Sequence, residues 1–91
     1  MDGLDQLVNC LECKHIKYGI DKKYNILSFD YGIDKIRVLT NKETFNNIEV
    51  WRVLINNDSI SSQTLFSNVY FYNDSIMFDC KGLFLETRIY N

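Results

Sequence analysis

The sequence predicts an α+β fold, with an N-terminal amphipathic helix packed on a mostly antiparallel meander of five to seven strands. Three observations carry this expectation. Leu4, Leu7, Val8 and Leu11 recur at the helical period and form one narrow apolar stripe. From Lys23 onward, short runs rich in β-branched and aromatic residues alternate with polar ones, as strands do. Between those runs, turn-forming words repeat. Tyr-Gly-Ile-Asp-Lys occurs at 18–22 and 31–35, and Asn-Asp-Ser-Ile at 57–60 and 73–76.

The helix is expected over residues 2–17. Asp2 can cap it, and Asp5 places negative charge in the first turn, where it complements the dipole. Lys14, His15 and Lys17 supply positive charge at the other end, and Gly19 is a natural stop. Sheet then fills about 23–91. Lys23–Tyr31 and Lys35–Thr40 read as strands joined through Gly32-Ile33-Asp34, whereas 41–47 is polar and reads as a loop. Ile48–Asn56 is apolar on both alternating faces, as a central strand would be, although its spacing also permits a short helix. Ile60–Ser67 is polar and fits an edge strand or a loop. Val69–Tyr72 and Ile76–Cys80 flank the second Asn-Asp-Ser turn as a hairpin, and Leu83–Tyr90 is the last strand, after a Lys81-Gly82 turn.

Composition bounds the function. Ninety-one residues, 46% apolar and 24% charged, suit one globular domain over 1–91. A net charge of −2 removes weight from both a dense acidic mimic and a strongly basic, non-specific nucleic-acid binder. No apolar run is long enough to span a bilayer, and the acidic start lacks the apolar core of an export signal. Three cysteines without such a signal suggest reduced thiols and a cytoplasmic setting. The absence of proline and alanine, with heavy use of Asn, Ile, Lys, Tyr and Phe, is typical of AT-rich coding, as in mobile elements.

Few constellations carry chemistry. Cys10 and Cys13, with His15 nearby, have half the ligand pattern of a zinc site, but all three fall within the expected helix, where His15 points along the leucine stripe and the thiols do not. A redox Cys-x-x-Cys opens a helix, and this one lies within it. Asn25–Leu39 resembles the first strand of RNase H-like nucleases of the Holliday-junction resolvase type, where an Asp-x-Gly closes an apolar strand. That resemblance implies a metal-binding role for Asp30 beside Gly32. It covers about one-sixth of the chain, which lacks the length and the parallel βαβ pattern of that fold. With one histidine, no nucleophile elbow and no phosphate-binding glycine loop, neither a catalytic set nor a cofactor is expected.

Two binding surfaces remain. Lys14, Lys17, Tyr18, Lys22, Lys23 and Tyr24 form a basic and aromatic cluster suited to nucleic acid. Trp51, Arg52, Tyr70, Tyr72, Arg88 and Tyr90 are of the types that dominate protein-binding hot spots, because they combine large area with a polar handle. The leading expectation is a small non-enzymatic protein that binds another protein as a regulator or inhibitor, of the kind mobile elements encode as anti-defence or immunity antagonists. A nucleic-acid-binding module is the alternative. Self-association through a strand edge is compatible with either.

Overall fold

The computed structural model describes residues 1–91 and has one helix and nine strands. The helix α1 runs Gly3–Cys13. Six strands form a first antiparallel sheet: β1 (Tyr18–Asp21), β2 (Ile26–Tyr31), β3 (Asp34–Leu39), β4 (Glu43–Phe45), β5 (Ile48–Asn56) and β6 (Ser61–Phe66). Three more form a second sheet in the order β7 (Asn68–Phe71), β8 (Ser75–Cys80) and β9 (Leu85–Tyr90). The expected helix on an antiparallel meander is present, with the strands divided between two sheets.

The helix ends earlier than its charge pattern suggests. Asp2 caps it as expected, its Oδ1 accepting the Asp5 N–H at 2.8 Å. At the other end His15 takes a left-handed conformation (φ 57°), its N–H donating to the Glu12 carbonyl, while that of Ile16 donates to the Leu11 carbonyl at 2.9 Å. This is a Schellman closure, built on a histidine where glycine is more usual. Residues 14–17 therefore leave the helix, and Gly19 lies inside β1.

The repeated words do not repeat their structure. At 31–35 the word straddles the β2–β3 turn, with Gly32 at φ 59°. At 18–22 it is an edge strand, a correction to its reading as a turn. Asp30 faces outward from β2 and Gly32 serves the turn. A Cβ at Gly32 would sit 3.1 Å from the Tyr90 carbonyl oxygen, so this turn rests closely on the end of β9. Both Asn-Asp-Ser copies are turns. In the first, Asn57 Oδ1 accepts the N–H groups of Ser59 and Ile60.

Of the two polar segments, one is more ordered than expected and the other takes its edge-strand alternative. Residues 43–45 pair with β5, because Asn46 and Asn47 both adopt positive φ and make a tight hairpin turn. Val38 faces Val53 while Glu43 faces Val50, so five steps on one side match three on the other, and residues 40–42 bulge. Ser61–Phe66 is a strand along the other part of β5.

The core lies between the sheets and under the helix. Leu27, Phe29, Ile36, Val38, Val53 and Ile55 face inward from the first sheet, and Val69, Ile76, Phe78 and Ile89 meet them from the second. Phe66 bridges the two, its ring 5.0 Å from Phe78 and 6.0 Å from Trp51. Leu7 and Leu11 are completely buried beneath α1, which packs on β5 and β7. No helix is long and apolar enough to cross a membrane.

Candidate binding face on the second sheet

Strand alternation decides which side chains are free to meet a partner. In β7–β9 the inward positions are Val69, Phe71, Ile76, Phe78, Cys80, Leu85, Thr87 and Ile89. Their neighbours must point to the opposite face. The register stacks these outward residues in rows: Asn68, Asp79 and Glu86; then Tyr70, Met77 and Arg88; then Ser75 beside Tyr90. Tyr72 extends the last row, since its N–H donates to the Ser75 carbonyl at 2.8 Å and closes the β7–β8 turn.

This row structure brings together four of the six residues expected to bind protein. Tyr70, Tyr72 and Tyr90 are 41%, 44% and 62% exposed, and Arg88 lies among them. The guanidinium carbon of Arg88 is 4.7 Å from the centroid of the Tyr72 ring. Its Nη1 donates to Ser75 Oγ at 3.1 Å, and its Nη2 approaches Met77 Sδ at 3.5 Å. Ser75 and Met77 are buried although they point outward, because these larger groups cover them.

The other two residues are elsewhere. Trp51 is only 3% exposed, an inward residue of β5 packed against Phe66 and close to Gly3, so it belongs to the core. Arg52 lies on the outer side of the first sheet and makes a bidentate pair with Glu43, at 2.9 and 3.0 Å. That pair holds the Glu43 carboxyl below its ordinary range and raises Arg52. Neither residue therefore joins the tyrosine face: Trp51 is taken up by the core, and Arg52 is engaged by Glu43 on the outer side of the first sheet.

The basic cluster is strung along β1 instead of gathered. Lys14 and Lys17 flank the helix exit, while Lys22, Lys23 and Tyr24 occupy the β1–β2 turn, where Lys23 Nζ sits 5.2 Å from the Tyr24 ring centroid. Tyr18 faces the core side and donates its hydroxyl to Glu12 at 2.7 Å, which raises its pKa. Lys17 instead joins Lys35 and Arg37 along a shallow groove of about 610 Å³ on the outer face of the first sheet, with Asp30 between them. Sequence spacing conceals this grouping, since register alone sets Asp30 against Lys35 and Ser28 against Arg37.

Cys10 and Cys13 neighbour one another on α1, but no third potential ligand joins them. Cys80 is buried in β8, Cys13 is exposed, and His15 lies outside the helix and faces solvent, so no three potential ligands converge. Burial, reinforced by Cys13, pushes the Cys10 thiol above its usual range, which disfavours the reactive thiolate.

One exposed aromatic escapes the sequence reading. Leu83–Tyr90 does not start as a strand; Lys81–Leu83 forms a single 3-10 turn and Phe84 follows in the left-handed region at φ 51°. The residue is 96% exposed, and with Asp79, Lys81 and Glu86 it borders a hollow at the far end of the tyrosine face. The signal available was the unbroken run Leu83-Phe84-Leu85, which violates strand alternation.

No protein-family model matches this chain, and comparisons with curated proteins and with solved structures likewise find no match.

Proposed function

We propose that this protein works by stoichiometric binding of another protein through the outer face of its second sheet. The observation that carries the reading is the convergence of Tyr70, Tyr72 and Tyr90 around Arg88, on the face that the core does not use. Large amphipathic rings on a rigid sheet present contact area at low conformational cost, and arginine beside them is a common anchor. Partner addition to the β7 edge has less support, since α1 packs against that strand and Gln6 Oε1 lies 3.4 Å from the Val69 nitrogen. A regulator or inhibitor acting by such binding, of the antagonist type carried by mobile elements, fits the size and composition.

The test is tagged co-purification of the full chain at moderate salt, with three forms run in parallel. The wild type is expected to retain a stoichiometric protein partner, which the paired Tyr70→Ala and Tyr72→Ala variant loses while keeping its thermal transition. An Arg37→Glu variant should retain it. The reverse pattern, or a complex destroyed by nuclease, would transfer the function to the groove bordered by Lys17, Lys35 and Arg37. That nucleic-acid reading is favoured by one observation: none of those three cations takes part in an ion pair within the chain.

A further inference from the structure

Arg88 is held in place by contacts within the sheet, yet it makes no ion pair. Tyr72 supports the flat guanidinium from one side, and the hydroxyl of the fully buried Ser75 and the sulfur of Met77 hold two of its nitrogens. All three supports are neutral. The chain's two ion pairs are Lys42–Glu49 and Arg52–Glu43, and neither involves Arg88. Arginine loses considerable rotamer freedom when it is held this way, and that ordering does not then have to be repeated on binding. The guanidinium carries more donors than these two contacts occupy, in a planar fork matched to a carboxylate.

We propose that the tyrosine face recognises a protein segment that delivers one carboxylate, from an Asp or Glu side chain, to the guanidinium of Arg88. This rests on the protein-binding reading above and names the chemistry of the partner. Tyr70 and Tyr90 would cover the apolar residues that flank the acid, excluding water and strengthening the charged hydrogen bonds. A phosphate backbone suits the face poorly: Asp79 and Glu86 oppose one another in the row adjoining Arg88, so an extended polyanion would meet repulsion there, whereas a single carboxylate need reach only the guanidinium.

The probe is a random-peptide phage library selected on the immobilised full chain, followed by affinity measurements on synthetic copies of the enriched peptides. Those peptides are expected to share an Asp or Glu, and its replacement by Asn or Gln should weaken binding about tenfold or more. The same replacement should have no effect on binding to Arg88→Met, while Arg88→Lys retains part of the discrimination. Thermal melts of both variants guard against misfolding, and Arg88→Lys keeps the test decisive if Arg88→Met is unstable. Peptides that need Tyr70 and Tyr72 but tolerate loss of the acid would overturn the carboxylate assignment and leave the tyrosine face intact. Peptides indifferent to Tyr70 and Tyr72, or no enrichment, would remove both readings. Displacement of the peptides by an oligonucleotide, or Arg88-dependent dimers in sedimentation, would assign the face to nucleic acid or to a second copy and overturn the proposal.

Discussion

Arg88 and Tyr72 meet across the full width of the second sheet. One is in β9 and the other follows β7, with β8 between them, yet the guanidinium lies 4.7 Å from the ring centroid. The contact bridges two strands that share no hydrogen bonds and closes over Ser75. It is therefore both a clamp on the sheet and the centre of the exposed face.

The clamp is measurable without a partner. Tyr72→Ala and Arg88→Ala should each destabilise the fold modestly, and their double-mutant cycle should show a coupling of about 0.5–1 kcal/mol, the range for an exposed cation–π pair. Urea unfolding of the four proteins gives the number. Strict additivity would mean that Arg88 is positioned by Ser75 and Met77 alone.

Phe84 is held in a backbone conformation that favours glycine, and the residue is 96% exposed. It contributes strain and almost no burial, so Phe84→Gly should raise stability, by up to about 1 kcal/mol. An aromatic retained at such a position is better explained by an outside contact than by the fold. The same variant should bind the partner less tightly if the face extends past Asp79 and Glu86 to this end. Denaturant midpoints and partner affinity, measured on one preparation, separate the two effects.

Gly3 makes the opposite case. Alanine is the better helix former, by about 1 kcal/mol, but a Cβ here would collide with the Ser67 carbonyl oxygen and crowd the Trp51 ring at 3.1 Å. Gly3→Ala should therefore destabilise the chain, by about 1–3 kcal/mol, the usual cost of overpacking. A thermal melt decides the sign. A stabilised variant would show that α1 can shift off β5 and β7 without loss.

These residues also show what a sequence reveals and what it hides. Period and turn chemistry made the helix, the central strand Ile48–Asn56 and the hairpin around Asn73-Asp74 legible, because each follows from local rules. The early helix stop was hidden because it depends on His15 accepting a left-handed backbone. The short strand Glu43–Phe45 was hidden because its apolar content is low, and pairing to β5 makes it a strand. At the site, alternation places Tyr70, Tyr72, Arg88 and Tyr90 on faces, but only the two-sheet topology shows that those faces coincide. Trp51 and Arg52 have the same composition signal and a different fate, the first buried in the core from β5 and the second paired with Glu43 on the outer side of the same strand.

The Glu43–Arg52 pair yields a pH prediction with a definite sign. The arginine hydrogen bonds are the main cause holding the Glu43 carboxyl below its ordinary value in the folded state. A depressed folded pKa favours the folded state wherever the carboxylate is ionised. The contribution is therefore complete above the unfolded value, about 4.3, and fades as pH falls through the lower folded one. Side-chain exposures of 32% for Arg52 and 41% for Glu43 admit solvent screening, so about 1 kcal/mol or less is at stake. Arg52→Met should cost that amount at neutral pH and nothing in acid, below the folded pKa, so the stability curves of the two proteins should converge there. Urea midpoints across that range test it. A gap that persists in acid would show that Arg52 acts through packing of its stem along β5, and not through its charge.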